Sequence, residues 1–170
     1  VSSDMVDARP RFDVLFERTH RDVLAYALRR TREPADAEDV AAETYAIAWR
    51  RFADVPNGDL ALPWLYGVAR RVLANQRRGA DRRGGLIARL FQRTPTVAPP
   101  PDLDDGPATA ALAELRADDR ELLQLVAWEG LDHAGVAAVL GISVNAVAIG
   151  LHRARRRFAE VYERFVEQDS

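Results

Sequence analysis

Apolar residues return every three or four positions along most of this chain and nowhere alternate with polar ones, so helices are the elements it can build. The first such stripe is Phe12, Leu15, Phe16, Thr19, Val23, Tyr26 and Ala27, the buried face of one helix. A break at Arg32, Glu33 and Pro34 leads into a second stripe of Ala37, Val40, Ala41, Thr44, Ala48 and Phe52, with Asp36 as the expected N-cap. Pro56, Asn57 and Gly58 mark Asp54 to Asp59 as a loop. After Pro63 a third helix should run to about Arg78 and bury Leu65, Val68, Ala69, Val72 and Leu73. The expected fold is all-α.

These three helices predict a first small domain over residues 9–85. Residues 86–108 then carry Pro95, Pro99, Pro100, Pro101 and Pro107 with Asp102, Asp104 and Asp105, the composition of an extended, flexible linker. A second helical domain is expected over 109–166. Its opening pattern, Asp118-x-x-Glu121 ahead of Leu122, Leu123, Leu125 and Val126, reads as a capping box. Two short helices should follow.

The net charge of −2 is a poor guide to partners, because the charges are segregated along the chain. Between Arg70 and Arg93 lie Arg70, Arg71, Arg77, Arg78, Arg82, Arg83, Arg89 and Arg93 against the single acid Asp81. Arg153, Arg155, Arg156 and Arg157 form a second cluster, while acids dominate from Glu33 to Asp59 and from Asp102 to Asp132. There is no cysteine, and His20, His133 and His152 are too scattered for a metal site, so no metal and no cofactor is expected. An enzyme is not expected either. The best carboxylates, Asp36, Asp39 and Glu43, stand without a phosphate-cradling Gly-rich Lys loop, a His-Glu-x-x-His pair or a water-activating cluster. No window approaches the run of about 18 apolar residues that a membrane span needs, and residues 1–10 lack the apolar core of a secretory signal. The cytoplasm is the expected compartment.

The segment from Leu131 to Phe158 has the layout of a helix-turn-helix. Ala137 is small where two helices would cross, Gly141 stands where a tight turn needs positive φ, and Ser143 can cap the second helix. On that helix Val144, Val147, Leu151, Ala154 and Phe158 step toward the core. Asn145, Ala148, Ile149, His152, Arg153, Arg155 and Arg156 are left outward or on the flanks. Base-reading groups near the helix start followed by phosphate-neutralising cations are what duplex recognition requires.

An arginine-rich helix is most often just solvated, but Trp64 and Tyr66 at the head of the third helix add aromatic platforms suited to single-stranded bases, while Trp64 is equally placed to be a core residue. On the second helix Asp36, Asp39 and Glu43 fall at i, i+3 and i+7, an acidic stripe that complements the helix dipole and would dock a basic protein surface while repelling DNA.

Three stretches resemble one family. They are Asp36 to Phe52 (DAEDVAAETYAIAWRRF), Pro63 to Arg71 (PWLYGVARR), and the helix-turn-helix from Leu131 to Arg157 preceded by LRADDRE from Leu115. In that order they look like regions 2 and 4 of a bacterial sigma-70 family factor of the compact extracytoplasmic-function (ECF) type, over about Phe12 to Glu163. The resemblance implies a promoter-recognition subunit of RNA polymerase. Asp36, Asp39 and Glu43 would dock on the clamp helices of the largest subunit, and the second domain would meet the flap of the second-largest. The loop Ala53 to Leu62, with Asn57, and the helix bearing Trp64, Tyr66, Arg70, Arg71, Arg77 and Arg78 would hold flipped bases of the minus-ten element. Ser143, Asn145, Ala148, Ile149, His152, Arg153, Arg155 and Arg156 would bind the duplex minus-thirty-five element. An anti-sigma protein is an implied partner, one that could hold the chain at a membrane it does not itself enter. This sequence departs from the family pattern in two places. Ala148, Ile149 and Gly150 stand where Lys, Ser and Arg are usual, and Arg71 and Asn75 where Asn and Asp are frequent.

A free-standing helix-turn-helix regulator with a helical effector domain accounts equally well for the C-terminal motif. It does not predict an acidic docking stripe followed by Trp64 and an arginine helix.

Overall fold

The structure, a computed structural model, describes the backbone of residues 3–84 and 106–168 and the side chains of 8–80 and 106–167. Most of the expected linker, and the side chains of Arg82, Arg83, Arg89 and Arg93, lie outside the described residues. The described residues form helices and turns with no strand among them. They belong to two compact units, Val1–Pro95 and Thr96–Ser170.

The first unit is built from α1 (Ser3–Leu28), α2 (Pro34–Arg50) and α3 (Ala61–Gly84), each packed on the other two. Val23, Tyr26 and Ala27 of α1 meet Ala37, Val40, Ala41, Thr44 and Ala48 of α2 and Leu65, Val68, Ala69, Val72 and Leu73 of α3, all buried. The alanines on α2 let its backbone approach its neighbours closely, the buried Thr44 hydroxyl donates to the Val40 carbonyl at 2.7 Å, and among the described residues no buried side-chain polar atom lacks a partner.

Local chemistry moves several expected boundaries. α1 starts well before Phe12 and continues through Pro10, forfeiting one backbone hydrogen bond there. The N-cap of α2 is Glu33 rather than Asp36. Pro34 presets the first helical φ, and Asp36 falls inside the first turn, where a carboxylate complements the helix dipole. Phe52 has left the α2 stripe for a 3-10 turn, Phe52–Asp54, and lies half-buried with its ring centre 5.7 Å from that of Phe12. A second 3-10 turn, Gly58–Leu60, completes the connection to α3.

The second unit comprises α4 (Pro107–Glu114), α5 (Ala117–Ala127), α6 (His133–Leu140) and α7 (Val144–Gln168). α7 is far longer than the short helix expected, and it is the element on which α4, α5 and α6 all pack. Its buried stripe is Val147, Leu151 and Ala154, closed over by Ala111, Leu115, Leu122, Leu125, Val136 and Val139. Beyond the core, Phe158 and Tyr162 stack with ring centres 5.8 Å apart, and Arg164 pairs with Glu114 of α4 at 3.1 Å.

The expected capping box at Asp118 and Glu121 does not form. Arg116 is the N-cap of α5 and offers no side-chain cap bond. A different device joins α4 to α5. Arg120 donates to the carbonyls of Leu112, Ala113 and Leu115 at 2.8, 2.6 and 2.7 Å, satisfying acceptors that the end of α4 leaves open.

Candidate nucleic-acid interface and docking groove

The helix-turn-helix is assembled by three short-range devices. Asp132 caps α6 by accepting the Gly135 N–H at 2.7 Å. Gly141 ends α6 in the left-handed region, with φ +67°, a conformation a Cβ would strain. Ser143 opens α7 by accepting the Ala146 N–H at 3.1 Å. The result is an angle of 100° between α6 and α7, within the range of about 90–120° typical of this motif.

Of the residues expected to face outward on α7, Asn145, Ile149, His152, Arg153, Arg155 and Arg156 are exposed and Ala148 is half-buried. At 100° per residue, Asn145, Ile149, His152 and Arg156 share one outward stripe, flanked by Arg153 on one side and by Ala148 and Arg155 on the other. Val144, expected in the core, is 49% exposed. It stands on the first turn, ahead of the residues that α5 and α6 cover. Arg156 pairs with Glu160 at 3.6 Å on the surface. The fourth arginine, Arg157, turns away from the outward stripe to meet Asp119 of α5 at 2.5 Å.

In the first unit the arginines of α3 divide. Arg70 and Arg71 are exposed. Arg77 donates to the Arg30 carbonyl at 3.3 Å, helping to close the end of α1, and Arg78 donates to Asn75 Oδ1. The two aromatic platforms divide as well. Trp64 is half-buried, with the Arg51 guanidinium 5.9 Å from its ring centre. Tyr66 is 2% exposed and stacks on Tyr26 at 4.8 Å, so it is a core residue and not a surface platform.

Asn57 is exposed on the connection between α2 and α3, which together with α1 encloses a cavity of about 420 Å³. Apolar Val14, Phe52, Val55 and Pro56 contribute its walls, while Arg11, Arg18, Asp22, Asn57 and Asp59 contribute its polar groups. Sequence reasoning assigned no role to Arg11, Arg18 or Asp22. Their spacing of i, i+7 and i+11 put them on one helical face, and that periodicity was the available signal.

Asp36, Asp39 and Glu43 are all exposed. Asp39 and Glu43 edge a broad groove of about 720 Å³ between α2 and α3, where Ala42, Ala46 and Val72 keep the walls low. Asp36 lies outside it. Glu43 also pairs with Arg50 at 3.2 Å, a solvent-exposed bridge that a partner can displace cheaply.

On another face of α2, Thr19 and Tyr45 share a buried hydroxyl–hydroxyl hydrogen bond of 2.8 Å between α1 and α2. Burial pushes the Tyr45 phenol up to about 12 despite the lowering effect of the Thr19 bond, and the Asp22 carboxylate adds to the rise. Tyr45 is therefore a neutral structural tie. Among the described residues no cluster of three histidine or acidic side chains could hold a metal, and no single helix is long and apolar enough to cross a membrane.

Comparison with known proteins adds an independent line. Residues 15–83 match the family described as sigma-70 region 2, and residues 107–158 match sigma-70 region 4. The ECF RNA polymerase sigma factor SigL of Mycobacterium tuberculosis is 36% identical over 138 residues, covering 77% of each chain. RNA polymerase sigma factor CarQ of Myxococcus xanthus is 28% identical over 157 residues, covering 91% of this chain and 90% of its own. Among solved structures, the sigma factor RpoE in complex with the anti-sigma factor NepR from Bartonella quintana shares the fold, with a TM-score of 0.70 at 24% identity over 90% of this chain and 97% of that one. CnrH, solved in complex with the cytosolic domain of CnrY, gives 0.61 at 25% identity over 95% and 91%.

Proposed function

This chain belongs to the sigma-70 family of RNA polymerase sigma factors, in its ECF branch, and from that premise we propose how its two units divide the work of starting transcription. The protein is a promoter-recognition subunit. One observation carries the division: a unit with an acidic groove and a base-sized cavity is joined, in one chain, to a helix-turn-helix with a cationic outward face.

The first unit docks on core polymerase through Asp39 and Glu43, with Asp36 adding charge one turn earlier. The clamp helices of the largest subunit are the partner, and the groove between α2 and α3 supports the reading because its low alanine wall admits a helix alongside the acids. Next to it, the connection from Ala53 to Leu62 holds the minus-ten element. Asn57, Arg11, Arg18 and Asp22 offer donors and acceptors around a mixed polar and apolar cavity wide enough for a flipped base. Trp64 supplies a stacking face, and the exposed Arg70 and Arg71 meet backbone phosphate. Arg77 and Arg78 can join them only by giving up their contacts to Arg30 and Asn75. Opening the duplex needs no chemical step, because stacking and capture of the single strand offset the cost of unpairing, a few kcal/mol per base.

The second unit binds the minus-thirty-five duplex with α7 in the major groove, beside the flap of the second-largest subunit. Arg153, Arg155 and Arg156 neutralise phosphates, and the Ser143 hydroxyl keeps a proton to donate while its oxygen caps the helix. An anti-sigma protein is a further partner. RpoE is solved with one, and CnrH is solved with the cytosolic domain of CnrY. A partner of that kind would keep this chain in the cytoplasm at a membrane surface.

A free-standing regulator is the weaker reading, since it leaves the whole sigma-70 region 2 match, residues 15–83, without a use. Run-off transcription with purified core polymerase and a promoter library decides between them. Initiation that requires this chain is the expected result. Sequence-specific duplex binding by the chain alone, with no initiation from a core that works with another sigma factor, would favour the regulator.

A further inference from the structure

The outward stripe of α7 contains one residue that neither packing nor charge explains. Ile149 is 46% exposed, with Asn145 one turn before it and His152, Arg153 and Arg156 after it. The helix's own core stripe is already supplied by Val147, Leu151 and Ala154. Of the other exposed apolar residues of α7, Val144 stands about 140° away around the axis, and Tyr162 and Val166 lie several turns further along, so none makes one patch with Ile149. A protein docking site needs contiguous apolar area. A single isoleucine set among cations fits a polyanion that carries isolated methyl groups.

Duplex DNA is such a partner. In its major groove only thymine offers a methyl, at C5, and apolar side chains read it by contact. Resting on the reading of α7 as the helix that enters the groove, we propose that Ile149 is a specificity-determining residue that takes a thymine methyl, with Asn145 beside it reading an adenine. Four residues of helix advance about 6 Å along the axis, so the two side chains address base pairs one or two steps apart. Ala148 and Ala146 carry nothing beyond Cβ, leaving Ile149 free to reach the base edges. Polar long chains are absent from positions 148–150, so the affinity that bidentate hydrogen bonds would give there is replaced by methyl contact at one A·T pair.

Deoxyuridine removes that methyl and nothing else. With the full chain assembled on core polymerase, each thymine of the selected minus-thirty-five element is replaced in turn, and promoter binding is measured. One position should weaken binding about four-fold, the factor that one buried methyl is worth. Ile149→Ala should bind natural DNA about four-fold more weakly and be indifferent to deoxyuridine at that position, whereas Ile149→Val should keep the sensitivity. Arg153→Ala should weaken both duplexes equally. Deoxyuridine without effect at every position, or Ile149→Ala as sensitive as the native chain, overturns the assignment of Ile149 while leaving the sigma role intact. Absence of any initiation with core polymerase overturns the role and the assignment together.

Discussion

Arg157 Nη1 lies 2.5 Å from Asp119 Oδ2, joining α7 to α5 across 38 residues of sequence. Asp119 is nearly buried, its side chain 10% exposed, while Arg157 keeps 45% of its surface. One of four clustered arginines is thus a packing residue, and its removal leaves a carboxylate in a poor environment. Arg157→Ala should destabilise the second unit by about 1–2 kcal/mol, below the figure for a fully buried pair because solvent reaches the guanidinium. Thermal unfolding of the full chain reads this directly, and an unshifted transition of that unit would mean the pair is incidental.

The neighbouring arginines should behave in the opposite way. Arg153 and Arg155 are exposed and make no ion pair among the described residues. Replacing both with alanine should leave the melting temperature within a degree or two and cut the slope of log K against log salt by about 1.8 for promoter duplex. Arg157→Ala should leave that slope unchanged. An unchanged slope in the double variant would return Arg153 and Arg155 to the solvated surface.

These contrasts show what was legible in the residues. The stripes Ala37, Val40, Ala41, Thr44, Ala48 and Val147, Leu151, Ala154 are periodic and local, so they could be read directly, and so could Gly141 and Ser143 at the turn. The pair Trp64 and Tyr66 was misjudged for a reason that geometry supplies: residues two apart on a helix face nearly opposite directions, so they cannot form one platform. Long-range partners were invisible. Neither Asp119 for Arg157 nor Arg120 reaching back to the end of α4 has a sequence period. Gly150 belongs here as well. A Cβ there would stand 2.9 Å from Leu122 Cδ1, the end of a flexible side chain on α5 that would have to shift, and that neighbour too has no sequence period.

Asp39 and Glu43 edge the groove and Asp36 does not, which ranks the three acids. The double charge reversal Asp39→Arg with Glu43→Arg should lower affinity for core polymerase at least ten-fold, and Asp36→Arg much less. All three positions are exposed, so folding should survive. Glu43→Arg also places like charge near Arg50, a loss of about 0.5 kcal/mol or less at the surface. Affinity measured by competition with another sigma factor for limiting core gives the ranking. Equal losses at Asp36 and Asp39 would move the docking surface toward the start of α2.

Tyr45 ties α1 to α2, and its burial, not the Thr19 bond, is what favours the protonated phenol. In the folded state the group titrates near 12, against an ordinary value of 10.0. Above pH 10 the unfolded chain therefore releases a proton that the folded one retains, so stability is complete below about pH 10 and is lost as pH rises toward 12. The loss should be on the order of 2 kcal/mol. Tyr45→Phe removes the titrating group together with the 2.8 Å bond to Thr19, so the variant should be less stable by about 1 kcal/mol at pH 7. Thr19 keeps a partner in the Leu15 carbonyl at 2.6 Å, which limits that cost. The variant should also show a flatter decline between pH 10 and 12, and the two stability curves should converge there. Parallel curves across that window would mean that the base transition is set by other groups.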